Sequence, residues 1–290
     1  MTKLINKNIK LVCILFLIFL TNSCGLKVGN IDLGKVYDTV SAVSDANREY
    51  TLEEEETLSR VISARLLGAS KYYDNDVIQD YVSNVGQYLA LQLPEQKYTW
   101  HFVVLEDEMF NAYAAPAGMV FINTGLLEQL TSEAQLAAIL AHEIIHAYRS
   151  HHMVTIQKSA EAKAWSNVIS LGAEQSNNKA LQSGKRIWKS VGNQITNIYF
   201  RGFDKDLEFE ADYQGAHLMT KAGYDPYAMI EVLQVIQGIA PDDVWFKQFY
   251  NTHPKPEDRL QAVFSIVENK LGDYSPVAIL EARYQQHKPH

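Results

Sequence analysis

The sequence predicts an α+β fold, mainly helical with a small β-sheet, and three observations carry that expectation. Apolar residues recur at helical spacing in two stretches ahead of Pro94, aromatic and β-branched residues concentrate between Tyr98 and Asn123, and everything beyond Leu126 reads as helix. With 290 residues, 47% of them hydrophobic and 21% charged, the chain can bury one substantial core.

The N-terminus reads as an export leader over residues 1–23. Lys3, Lys7 and Lys10 precede the apolar run Leu11 to Leu20, and Thr21-Asn22-Ser23-Cys24 follows. That run is shorter than the roughly 20 residues a membrane-spanning helix needs. The placement of Cys24 resembles a bacterial lipoprotein signal, with Thr21 where a leucine is usual, and implies lipidation at Cys24. The only other cysteine, Cys13, lies inside the leader, so no disulfide is expected once it is removed. The formal net charge of −8 grows more negative without those lysines, which argues against a nucleic-acid partner.

Residues 24–50 mix Gly, Asp, Ser and Asn as a tether would. A folded domain is expected over 51–270. Helices are expected from Leu52 to Leu67 and from Val77 to Leu93, the second showing Ile78, Tyr81, Val82, Val85, Tyr88 and Leu89 at helical spacing. The acidic run Glu53 to Glu56 falls in a first helical turn, where the dipole favours it, and is expected to be solvated. Strands are expected from Tyr98 to Leu105, Asn111 to Ala115 and Met119 to Ile122, the last two joined by the turn Pro116-Ala117-Gly118. Residues 174–186 are polar and read as an exposed bend, and the tail 271–290 shows no clear period.

The central motif is His142-Glu143-Ile144-Ile145-His146, an HExxH. Ser132 with Gln135 suggests a capping box, and Leu136, Ile139 and Leu140 continue an apolar face, so the motif lies inside a helix that starts near Glu133. One turn apart, His142 and His146 point the same way, and two imidazoles can reach one tetrahedral zinc ion. Glu143 lies about 100° round the helix from His142. There it can take a proton from water without ligating the metal, which is the placement of a general base.

A catalytic zinc usually takes three protein ligands. His152 stands at the spacing of a pattern that needs a helix-breaking glycine where this chain has Arg149. In an unbroken helix His152 would lie roughly 15 Å along the axis from His142. A glutamate about twenty residues after the second histidine is absent, since Trp165 and Ser166 stand there. The remaining region is Asp206 to Asp212, opening a helix that runs to Ala222 with Gly223 as its C-cap. On it Glu208 and Asp212 share one face, offering a carboxylate ligand and, one turn on, a carboxylate to orient a metal-bound histidine; Glu210 points roughly the opposite way.

The HExxH, the later Glu208-Phe209-Glu210-Ala211-Asp212, then Gly223-Tyr224-Asp225-Pro226, Thr252-His253-Pro254 and Arg259-Leu260 together resemble the metalloprotease family of HtpX, BepA and the CAAX prenyl endopeptidases. The hairpin Asn111 to Pro116, with Gly118 and Asn123 to Leu127, is similar to that family's segment ahead of the zinc helix. The resemblance covers about residues 50 to 265 and implies a zincin-like domain with the sheet beside the HExxH helix. It implies one zinc per chain on His142, His146 and Glu208, with Asp212 orienting a ligand. It also matches His253 to a histidine that can approach the metal, Arg259 to an arginine near the site, and His151 to a histidine with no ligand role.

Without the transmembrane helices of some members or the helical repeats of BepA, the chain resembles short, lipid-anchored members. The implied activity is a zinc endopeptidase acting on misfolded or misassembled envelope proteins. The resemblance and the leader together suggest an outer-membrane anchor facing the periplasm. Its substrate strand would pair with a sheet edge near Met119 to Ile122. The rival readings are a chaperone-like module that holds clients without cutting them, and a zinc hydrolase acting on something other than peptides.

Overall fold

A computed structural model describes residues 27–28, 31–32, 50–158, 202–238, 253, 256–271 and 278–289. The leader with Cys24, and the polar segment 174–186, lie outside the described residues. The chain divides into two units, Met1–Arg48 and Glu49–His290. In the first, β1 (Lys27–Val28) pairs antiparallel with β2 (Ile31–Asp32), where the sequence suggested only an irregular tether. Among the described residues no helix is long and apolar enough to cross a membrane.

The second unit begins with α1 (Leu52–Ala69), closed at its start by a full capping box between Thr51 and Glu54. The expectation of a solvated acidic turn fails at Glu55, which is buried. Glu55 shares a helix face with Leu58 and Ile62, and it accepts hydrogen bonds from the hydroxyls of Tyr98 (2.5 Å) and Ser150 (2.7 Å). Its neighbours on the other faces stay in water, as the periodicity dictates.

After β3 (Lys71–Tyr72), α2 (Asp76–Ala90) buries Ile78, Val82, Val85 and Leu89 against the sheet. The Gln79 amide bridges helix and sheet, donating to the Tyr73 and Val104 carbonyls and accepting from the Val104 N–H. The sheet continues with β4 (His101–Glu106), β5 (Ala112–Ala115) and β6 (Met119–Asn123) in the order β3-β4-β6-β5. β6 runs parallel to β4 and antiparallel to β5. The expected edge near Met119 to Ile122 is therefore an interior strand, and β5 is the edge. Val120, Phe121 and Ile122 are all buried, so both faces of β6 are covered. The hairpin turn requires Gly118, whose φ is +83° and whose absent Cβ would lie 2.8 Å from Tyr98 Cβ.

α3 (Thr124–Gln129) leads to α4 (Glu133–Tyr148), in which every residue before Tyr148 is buried. An apolar helix of this kind belongs at the centre of the molecule, and α4 is covered by the sheet, α2 and the later helices. Ser132 caps it by accepting from the Gln135 N–H, but the Gln135 carbonyl oxygen reaches back to the Thr131 N–H, so only half of the expected box forms. The helix does not run on past Arg149. Ser150 adopts φ +52°, and α5 (His151–Lys158) starts in a new direction. A left-handed serine is costly; its hydroxyl is bonded to Glu55 across the interface with α1.

α6 (Lys205–Lys221) crosses α4 and ends in a Schellman motif, with Gly223 N–H to Thr220 O and Tyr224 N–H to Met219 O. α7 (Tyr227–Gln237) and α8 (Pro256–Ile266) complete the packing over α4 and α6. From the tail, α9 (Glu281–Gln285) clasps the start of the central helix. Arg283 forms a two-point pair with buried Glu133, which also accepts from Tyr81 (2.8 Å) and Tyr224 (2.6 Å), and the Ala134 N–H donates to Ile279 O.

Candidate metal centre

The HExxH histidines project from the second half of α4 into the angle between α4 and α6. Their Nε2 atoms are 3.0 Å apart, and Glu208 from the first turn of α6 places Oε2 3.6 Å from His142 and Oε1 3.4 Å from His146. His253 adds Nδ1 at 2.8 Å from Glu208 Oε2. Ligand atoms of all four residues lie within 4.8 Å of one another, and all four side chains are buried.

Two features test whether zinc fits. Donors at about 2.0–2.1 Å from a tetrahedral ion stand about 3.3 Å from each other, close to the spacings of the His142, His146 and Glu208 set. Oε1 of Glu208 is fully buried, with no hydrogen-bond donor among the described residues. A buried carboxylate oxygen left so would be costly, and a cation between the three side chains removes that cost. Two imidazoles and one carboxylate are a donor set that suits zinc.

The surrounding charges hold the set in place. Asp212, one turn after Glu208 on α6, puts Oδ1 2.9 Å from His142 Nδ1. Arg259 of α8 donates two hydrogen bonds to Asp212, at 2.6 and 2.7 Å, and brings Nη1 to 3.5 Å from Glu208. Burial alone would push the His142 imidazole down, but the Asp212 and Glu208 carboxylates outweigh it and raise it to about 9. Burial likewise opposes ionisation of Glu208 and Asp212. The neighbouring histidines, His253 foremost, hold Glu208 well below the usual carboxylate range, and Arg259 lowers Asp212. His146, enclosed on all sides, is held by burial well below the ordinary imidazole value and presents a neutral ring.

Glu143 stands apart from this set, facing β5. Burial raises its carboxyl above the ordinary value, against the opposing attraction of His142 and His253 and a backbone hydrogen bond from Ala114. A carboxylate made more basic beside a metal site is suited to accept a proton.

His152 does not join the cluster. The turn at Ser150 carries it toward the Ala114 backbone on β5, and burial lowers it to about 3. Sequence periodicity located His142, His146, Glu143, Glu208 and Asp212. It gave no signal for Phe203, which stacks on the His146 ring at 4.2 Å, or for Gly215, which lets α6 approach α4 at His142.

Fold and site together present a candidate zinc centre, with an HExxH helix, a downstream glutamate and a small sheet flanking it. Residues 75–267, well over half of the chain, match the model of peptidase family M48, and the chain belongs to that family. It is 28% identical over 182 residues to the mitochondrial metalloendopeptidase OMA1 of Arabidopsis thaliana, covering 62% of this chain and 34% of that protein. It is 24% identical over 217 residues to the beta-barrel assembly-enhancing protease of Escherichia coli (strain K12), covering 74% and 43%. A putative beta-barrel assembly-enhancing protease of Vibrio cholerae is 28% identical over 207 residues, covering 68% and 40%. The chain thus spans less than half the length of these relatives.

Proposed function

We propose that this chain is an endopeptidase of the bacterial envelope in which His142, His146 and Glu208 hold zinc and Glu143 is the general base. When bound, zinc supplies a Lewis acid that polarises a peptide carbonyl and acidifies water. Glu143 takes up the proton released as water attacks and returns it to the leaving amine, so that one carboxyl group serves both halves of the reaction. The observation that carries this reading is the position of Glu143, buried between the histidine pair and the edge strand β5 with its basicity raised.

An extended substrate adds its backbone to the edge of β5, which brings the bond to be cut over Glu143. Beside Glu143 and His253 lies a small apolar recess, lined by Ala112, Leu126, Ile139, Met229, Val232 and Ile236. Asp212, held by Arg259, fixes the ring of His142. His253, brought against Glu208 beside the other donors, would act as a reversible brake by offering its ring to a bound zinc in place of water.

Misfolded or misassembled envelope proteins are the proposed clients. The leader over residues 1–23 ahead of Cys24 and the relatives named for β-barrel assembly support that setting, with a lipid anchor in the outer membrane facing the periplasm. The test is cleavage of unfolded casein by Glu143→Gln. The variant should retain one zinc per chain by metal analysis and lose proteolysis, because its ligands survive while the base does not. Retention of most activity would exclude Glu143 as the base.

A further inference from the structure

His151 and Glu210 belong to neither the ligand set nor the groups around Glu143, yet buried His151 and partly exposed Glu210 form a line behind His146. The two imidazoles meet Nδ1 to Nδ1 at 2.9 Å, and His151 Nε2 faces Glu210 Oε2 at 3.5 Å, an electrostatic contact longer than a hydrogen bond. The other Glu210 oxygen accepts from Arg149 Nε and from Gln214 Nε2, both at 2.7 Å. From these contacts we infer that His151, anchored by Glu210, is a positioning residue that fixes the tautomer and ring orientation of His146, the counterpart of Asp212 behind His142. The inference rests on the reading of His146 as a zinc ligand.

An imidazole that offers Nε2 to a metal carries its proton on Nδ1, and that N–H needs an acceptor. His151 Nδ1 is the atom at hydrogen-bond distance, so it must be the unprotonated nitrogen and His151 must carry its proton on Nε2. Nε2 is the atom that faces the Glu210 carboxylate. The proton on His146 Nδ1 then meets the lone pair of His151 Nδ1, and the proton on His151 Nε2 is turned toward the Glu210 carboxylate at 3.5 Å. Phe203 stacks on His146 and lies edge-on to His151, which covers the pair from water.

The break in the helix makes this contact possible. In a continuous α-helix, residues five apart point about 140° away from each other. The left-handed turn at Ser150 folds His151 back onto the ring of His146. Glu210, two residues after Glu208 and on another face of α6, reaches the same point from outside. This gives the helix of the third ligand three acidic side chains in three positions: one in the donor set, and one behind each histidine.

The test is zinc affinity of the full chain, measured by competition with a chromophoric chelator, with thermal melting of the metal-free protein as the folding control. His151→Leu keeps the volume and loses the acceptor, whereas His151→Asn loses volume but places Oδ1 where Nδ1 stood. The expected result is a 10- to 100-fold loss of affinity, roughly, for His151→Leu and recovery to within about threefold of the wild type for His151→Asn. A packing role predicts the reverse order, and Leu binding as tightly as Asn or tighter overturns the proposal. His146→Ala tests the underlying reading separately: wild-type affinity in that variant sinks the ligand assignment itself. Should both His151 variants fail to fold, Glu210→Ala decides, with a weakening of about threefold or more supporting the line and an unchanged affinity overturning it.

Discussion

Gly215 sets the distance between the helix that carries the histidines and the helix that carries Glu208. A Cβ at that position would lie 3.2 Å from His142 N, 3.3 Å from His142 Cα and 3.3 Å from Met229 Cε, each inside the roughly 3.5–4.0 Å optimum for such contacts. Relief in Gly215→Ala therefore requires a shift of a few tenths of an ångström. Against this, alanine in a helix interior is favoured over glycine by about 1 kcal/mol, so the two effects nearly cancel and stability should change by less than about 1 kcal/mol. In Gly215→Leu the added atoms meet the His142 backbone, which cannot yield as the Met229 side chain can. Overpacking of this kind costs about 3 kcal/mol or more, a fall in Tm of about 6 °C or more for a domain of this size. The same displacement would lengthen the 2.9 Å contact between Asp212 and His142 and draw Glu208 out of the donor set, so zinc affinity should fall with stability. Calorimetry of the metal-free chain and chelator competition measure the two effects. Gly215→Leu with wild-type melting and wild-type zinc affinity would refute the close-contact reasoning.

Glu208→Ala should weaken zinc binding by more than the roughly 10- to 100-fold typical of a lost outer partner, while His152→Ala leaves it unchanged; metal analysis showing the opposite order would place His152 in the donor set. His253→Ala should keep zinc and preserve or raise the rate of casein cleavage, and a folded, zinc-loaded variant without cleavage would make His253 a stabiliser of the transition state instead. Arg283→Ala should destabilise the fold by roughly 1 to 2 kcal/mol at neutral pH, a value reduced because the guanidinium is half exposed. Burial works against the Glu133 carboxylate, but Arg283, Tyr224 and Tyr81 outweigh it and lower its pKa in the folded chain, so its contribution is present above the unfolded value and lost as pH falls through the folded one. Melting curves of wild type and Arg283→Ala should therefore converge toward acid, and a constant gap down to pH 2 would assign the effect to packing.

The sequence by itself determined the features that depend on near neighbours along the chain. The 3.6-residue period placed His142 and His146 on one helix face and Glu208 and Asp212 on another, and Gly223 marked the end of α6, because helix geometry relates residues three to four apart whatever surrounds them. The aromatic and β-branched residues concentrated between Tyr98 and Asn123 marked three strands, since such side chains favour extended backbone locally. Strand order is a different kind of fact. Nothing local distinguishes β6 from β5 as the edge, since pairing with β4 is decided by where the chain returns. Glu55 read as solvated because its partners Tyr98 and Ser150 are distant in sequence, and Ser150 carried no glycine to announce its turn. Only the tertiary structure could bring His253 and Arg259 to the ligand set, turn His151 back onto His146, and lay the tail across Glu133. A side chain's reach is local, but its partner is chosen by how the helices cross, and here that crossing depends on the missing Cβ at Gly215.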